Sequence, residues 1–173
     1  MSLLNKKKSK IVLIIIFTMV FLMQYSLCFA GQSSRYLKIA GNAAYTYYLD
    51  LQTVRYIKDP YLEEQLIDAW VKIVCEENGA EAEIESRENK GMVTKGYDKL
   101  SYSIRRYYFR LNQRQMQMLA SRDFASDGSQ LEFQKYTYTA ARWDDLAPNT
   151  LGDLWYSKVR WYMDTRAGEK NNE

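Results

Sequence analysis

The chain contains few groups capable of acid, base or nucleophilic chemistry. It has no histidine and two cysteines, Cys28 and Cys75. Without histidine, the Ser-His and Cys-His nucleophile pairs and the commonest metal ligand are unavailable. Cys28 falls within an amino-terminal leader, and the single remaining thiol is too few for a thiolate zinc site. Carboxylates are the other candidates: Asp144 beside Asp145, and the run Glu81, Glu83, Glu85 and Glu88. Paired carboxylates can divide acid and base work. Adjacent strand residues, however, point to opposite faces, and glutamates in a charged connection are ordinarily solvated. No convergent set of titratable groups can be named, so the sequence implies no catalytic residue, no metal and no cofactor.

Recognition is the chemistry that remains. Arg106, Tyr108 and Arg110 alternate along one expected strand, with Tyr102 beside them. Tyrosine and arginine dominate interface hot spots, so this strip is the candidate partner-binding surface. Two blander readings stand beside it: a solvated sheet face, or a face covered by a second copy. A different class of function is a periplasmic site for a small apolar or aromatic ligand between helix and sheet, suggested by Trp70, Trp143, Trp155 and Trp161. Tryptophans flanking a docked helix are more often core.

The leader sets the compartment. Lys6, Lys7, Lys8 and Lys10 precede a nearly uncharged run from Ile11 to Leu27, and Ala30 supplies a small side chain before Gly31. That order is a secretory signal with cleavage expected between Ala30 and Gly31. An uncleaved membrane anchor is the alternative, but about 17 apolar residues is the lower limit for a span. Tyr25-Ser26-Leu27 before Cys28 lacks the small residue that a lipidation signal wants. Taking the four leader lysines from the 24 Lys and Arg leaves 20 against 21 Asp and Glu, a net charge of −1. Such a domain lacks the positive field of a nucleic-acid binder. Export to the periplasm or the cell surface is expected, for one domain over 31–173 with a disordered tail over 165–173.

The elements that must position these residues read mainly as β. Ile67, Ala69, Val71, Ile73 and Cys75 share one side of a strand, against Asp68, Trp70 and Lys72. Runs over 36–39, 45–49 and 53–57 read as shorter strands of a meander. Residues 76–96, charged and with three glycines, read as a mobile connection with one helical turn expected in 80–88. Between Tyr102 and Ala120 an Asn112-Gln113 turn would set Phe109 opposite Met116, Tyr107 opposite Met118, Arg110 opposite Gln115 and Tyr108 opposite Gln117. Apolar then meets apolar and polar meets polar, which a one-residue slip would destroy. Asn112 is the residue expected to take the positive φ. Asp127-Gly128 marks a second hairpin with its return strand over 131–139.

Near the end, Thr150-Leu151-Gly152-Asp153 reads as a capping box, the threonine accepting the Asp153 amide and the aspartate reaching back to the cap amide. At 100° per residue Trp161, Leu154, Lys158, Leu151, Tyr162, Trp155 and Val159 fall in one sector, with Asp153, Arg160 and Ser157 opposite. This stripe, with Trp143, is expected to dock the helix on the sheet. The resulting fold class is α+β, mainly β: a single antiparallel meander of about six strands with a C-terminal helix on one face.

Tyr47-Tyr48-Leu49-Asp50, Ala69-Trp70-Val71-Lys72 and, above all, the run from Trp143 through Asp144-Asp145-Leu146-Ala147-Pro148-Asn149 and the capping box to Trp155 resemble the surface-adhesin protein E family of bacterial envelope proteins. The resemblance runs from about Tyr36 to Val159. It implies a sheet with a C-terminal helix on its concave face, a dimer in some members, and a host matrix or envelope protein as partner. It also implies cysteines at the positions of Asn112 and Val159, joined in a disulfide that ties helix to sheet. This sequence has neither, which leaves docking to the aromatic stripe.

Overall fold

The computed structural model describes residues 35–139 and 142–170; the leader, with Ala30 and Gly31, lies outside the described residues. Eight strands form one antiparallel sheet: β1 (Tyr36–Gly41), β2 (Tyr45–Asp50), β3 (Arg55–Lys58), β4 (Gln65–Cys75), β5 (Leu100–Arg110), β6 (Gln115–Ala125), β7 (Gln130–Lys135) and β8 (Asp144–Asp145). Their order is β1-β2-β4-β5-β6-β7. β3 shares an edge of β4 with β2, and β8 shares an edge of β6 with β7. Helix α1 (Gly79–Glu88) follows β4, and α2 (Leu151–Lys170) ends the described chain.

The long strands alternate as their sequences dictate. Ile67, Ala69, Val71 and Ile73 of β4 are buried, and opposite them on β5 stand Phe109, Tyr107, Arg105 and Ser103. The β5–β6 hairpin adopts the register that the side chains select, with Phe109, Tyr107, Arg110 and Tyr108 facing Met116, Met118, Gln115 and Gln117. Its turn spans 111–114, and the positive φ of 50° falls on Arg114, not on Asn112. Beyond Tyr107 a bulge at Leu119 shifts the register, so that Arg106 faces Ala120. The second hairpin turns at Gly128, φ 83°, and its return strand stops at Lys135.

The C-terminal helix packs on this sheet as expected, and a second helix is present among the described residues. Residues 79–88 form a complete helix where one turn was expected, because Ala and Glu favour helix and because its end is anchored. Arg87 is buried there. Its Nε donates to the Val93 carbonyl at 2.7 Å and its Nη2 lies 2.7 Å from a Glu132 carboxylate oxygen. Gly79 seats the other end, since a Cβ at that position would lie 2.9 Å from the Cys75 Cβ.

Helix α2 docks by a face rotated toward Tyr156 and Met163. Trp155, Tyr156, Val159 and Met163 are buried, whereas Leu154 and Trp161, both expected in the stripe, are 44% and 54% exposed. The sector is turned by roughly 80° from the expected one at 100° per residue. Three contacts set that rotation. Tyr156 Oη donates to the Leu111 carbonyl at 2.6 Å and Tyr162 Oη to the Leu51 carbonyl at 3.2 Å. Gly152 admits Leu146 and Met116 so closely that a Cβ would meet Leu146 Cδ2 at 2.9 Å. The cap is half the expected box: the Asp153 amide donates to Thr150 Oγ1 at 3.3 Å, but the Asp153 carboxylate accepts from the Asn149 amide and pairs with Arg114. The helix continues to Lys170, through most of the stretch expected as a tail.

Trp143 is no part of this docking. It stacks against the Arg110 guanidinium at 4.1 Å and edge-on to Tyr138, on the sheet face opposite α2. Nor does Asn112 share an environment with Val159: the first is exposed at the hairpin turn, the second fully buried. The hairpin turn is tied to α2 by Tyr156 instead.

Candidate functional site

The sheet face that carries no helix among the described residues, called here the helix-free face, collects the polar-side residues of every long strand. The expected strip Arg106, Tyr108 and Arg110 lies on it, but its arginines are engaged internally. Arg106 Nε and Nη2 both reach the buried Asp68 carboxylate at 2.8 Å, and Arg55 joins the same carboxylate at 3.0 Å. Arg110 is 7% exposed, pairs with Glu64 and lies 3.7 Å from Asp59. Burial pushes the Asp59 carboxyl up, but hydrogen bonds from Tyr138 and the Tyr61 and Leu62 amides, with Arg110 nearby, outweigh it and hold the group below the usual carboxylate range. Tyr108 is half-buried with its ring against Tyr138. The strip is therefore a wall of internal ion pairs, with Arg110 closed to solvent.

The accessible part of this face lies farther along the strands. Strand registers bring Lys38, Tyr48, Lys72, Ile104, Arg122 and Phe133 into one row across all six strands of the main path. Cations alternate with apolar or aromatic residues along it. On one side run Thr46, Val74, Tyr102 and Phe124, and on the other Trp70, Arg106, Ala120 and Lys135. The central row contains no carboxylate; acids stand only at its margins, Glu76 accepting from Thr46 at 2.6 Å and Asp50 opposite Tyr36. The Lys72 ammonium sits 4.7 Å from the Tyr102 ring centre and 5.3 Å from that of Tyr36, and Arg122 lies 4.9 Å over Phe133. Tyr102 stacks on Phe124 at 4.8 Å. Cations held flat over rings keep their charge while covering apolar surface. Tyr102, the outlying member of the expected strip, is the one that belongs to this surface.

The four tryptophans do not meet. Trp155 is packed on the helix side between Tyr107, 5.0 Å away at a steep angle, and Tyr47 at 5.8 Å. Trp70 and Trp143 lie on the opposite face, and Trp161 is exposed on α2. What lies beside Trp155 is a cleft of about 330 Å³ lined by Tyr45, Tyr47, Glu83, Lys90, Arg105 and Leu151 among others. Arg105 is a further member of this site that the strip did not include; it shares parity with Tyr107 and Phe109 and so projects a guanidinium onto the core face.

The groups suited to acid or base work stay apart. Asp144 and Asp145 form β8 and are exposed, Asp145 accepting from Gln115 at 2.8 Å. Glu81, Glu85 and Glu88 are exposed on α1, while Glu83 alone turns into the cleft. Burial first, then the Glu83 charge, pushes the Cys75 thiol up to about 11, which makes it a poor nucleophile at neutral pH. No group of three or more potential metal ligands occurs among the described residues.

Comparison of the chain with family models, with curated proteins and with solved structures gives no match.

Proposed function

We propose that the chain is an exported binding module that captures an acidic protein partner on the helix-free face of its sheet, and acts by binding alone. One observation carries this reading: the six-residue row of alternating cations and apolar groups, which holds no carboxylate of its own. Such a surface offers aromatic anchors beside accessible cations, the residue types that concentrate binding energy, and its charge favours an acidic surface over a basic one. A second copy placed face to face would set like charges against each other, which opposes a dimer through this row. The basic, apolar and small-residue order of the leader supports export, and the resemblance to the surface-adhesin protein E family supports a protein as the partner.

A photo-crosslinking residue placed at Phe133, with a control at exposed Trp161, tests the reading on envelope extracts. The same acidic protein should be captured at Phe133 and not at Trp161. Capture should fall steeply with added salt, because the row is exposed to screening, and should be lost in a Lys72→Glu, Arg122→Glu variant. Equal capture at both positions, or capture unaffected by the charge reversals, would defeat it; self-crosslinking at Phe133 would assign the face to a homodimer.

A further inference from the structure

On the other side of the sheet, Arg105 is a half-buried cation without a matching anion among the described residues. Its Nε is closed to solvent and has no hydrogen-bond partner, and among the described residues Arg105 forms no ion pair. The Tyr107 side chain bonds to it, and two acids act on it through space, Asp123 and Glu83, but Asp123 is already committed. One Asp123 oxygen accepts from Ser103 at 2.6 Å; the other accepts from Tyr97 at 2.7 Å and faces Arg87. Glu83 is half-buried on α1 across the cleft. Burial opposes the charge of Arg105, and Tyr107, Asp123 and Glu83 outweigh that burial and hold the charge, but the buried Nε–H is left without an acceptor, which is the position a ligand anion can fill.

The walls define what that partner can be. Tyr45, Tyr47 and Trp155 supply aromatic surface, with Tyr45 and Tyr47 6.2 Å apart and Tyr47 and Trp155 5.8 Å apart. Burial raises both tyrosines, Tyr45 to about 12, so each keeps its proton at neutral pH. Tyr45 spends its hydroxyl on the Gly79 carbonyl at 3.1 Å. Lys90, bonded to Ser86 at 2.9 Å, adds a second cation among the lining residues. About 330 Å³ lies at the small end of ligand sites.

We propose that this cleft binds a small carboxylate that carries an aromatic or similarly flat apolar group, the carboxylate meeting the planar donors of Arg105 and the ring lying against Tyr47 and Trp155. A guanidinium matches a carboxylate with two parallel hydrogen bonds, which a point charge does not. Glu83 occupies the cleft as a rival anion and weakens the ligand. The site is independent of the helix-free face, so failure at one leaves the other standing.

Phenylpropionate is the probe and phenylpropionamide its uncharged counterpart, each titrated to millimolar concentration while the Arg105 Nε–H signal is followed by heteronuclear NMR and binding by calorimetry. The acid should bind saturably, shift that signal, and exceed the amide by about tenfold or more, as expected for a charge-assisted pair. Arg105→Gln should erase the preference for the acid, and Glu83→Gln should tighten the acid without changing the amide. No saturable binding of the acid, equal binding of acid and amide, or a shift confined to residues outside the cleft would overturn the proposal. Should Arg105→Gln fail to fold, the acid-to-amide ratio in the parent and its increase in Glu83→Gln decide the matter.

Discussion

The two faces of this sheet are built from the same strands by the same alternation, yet they are finished differently. On the helix side, Leu49, Val71, Phe109 and Val159 are fully buried, and the rings of Tyr107 and Trp155 interlock. On the other side, the aromatic residues are only partly covered, and cations take the places between them. A face that serves only as surface is usually polar and mixed in sign. Here one row of six holds three cations, three apolar or aromatic groups and no acid. The comparison separates residues that make the fold from residues that the fold displays, and substitutions on each side should differ accordingly.

The largest effect belongs on the covered side. Trp155→Ala removes a ring packed between Tyr47 and Tyr107, and should cost about 3–5 kcal/mol in a denaturant titration. Its neighbour on the same helix gives the contrast: Trp161 is 54% exposed, and Trp161→Ala should stay within about 0.5 kcal/mol. Comparable losses at both would mean that α2 docks in the orientation expected from its stripe, not in the one the structure has.

Next comes the polar cluster that holds α1 to the sheet, where Glu132 joins Arg87 at 2.7 Å and accepts from Tyr97 at 2.8 Å. Burial raises the Glu132 carboxyl, but bonds from Gln134, Tyr97 and Arg87 prevail and place it below its ordinary 4.5. A carboxyl held lower in the folded chain than in the unfolded one stabilises the fold above the ordinary value, and that contribution vanishes as pH falls through the folded value. The parent should thus lose stability on acidification below about pH 4.5, while Glu132→Gln, weaker by about 1–3 kcal/mol at neutral pH, should show a flatter acid limb. Parallel acid limbs would remove Glu132 from the account.

The cap effect is smaller. Thr150→Ala deletes the acceptor for the Asp153 amide and should cost about 0.5–2 kcal/mol. Because the Asp153 carboxylate bonds to Asn149 and pairs with Arg114 and does not reach the Thr150 amide, a further change of Asp153 should add its own loss.

Which parts of this were legible in the sequence follows from the range of the interactions. The β5–β6 register was legible because four side-chain pairs had to match at once, and the alternation of β4 because its apolar parity is unbroken. The rotation of α2 was not, because it depends on two tyrosine hydroxyls that reach the Leu51 and Leu111 carbonyls and on the closeness that Gly152 permits, all of them tertiary facts. Helix α1 was hidden for a similar reason: its charged sequence has no apolar stripe, and its anchor is Arg87, a residue type that ordinarily faces water. At the candidate recognition surface, parity placed Arg106, Tyr108 and Arg110 on the correct face. It could not show that Asp68, Glu64 and Asp59 would claim the two arginines. Arg105 is placed on the core face by parity, but parity alone does not reveal the cleft beside it, which forms only where α1 and α2 flank the strand.

The smallest expected stability change is on the displayed row, and it tests the comparison most directly. Phe133 is 48% exposed, with Arg122 over its ring, and neither contributes to the buried core. Phe133→Ser with Arg122→Ser forfeits one exposed cation–π contact, worth about 0.5–1 kcal/mol at such a site. Melting should therefore shift little, while capture of the acidic partner should drop by about tenfold or more, since each truncated anchor at a hot spot costs over 1 kcal/mol. Trp155→Ala compared at a temperature where both variants are folded should show the reverse, with weakened stability and intact capture. If Phe133→Ser with Arg122→Ser instead unfolds the domain, the row is structural and the two faces differ only in degree. If it leaves both stability and capture untouched, the cations and rings of this face are ordinary surface, and recognition must be sought elsewhere on the molecule.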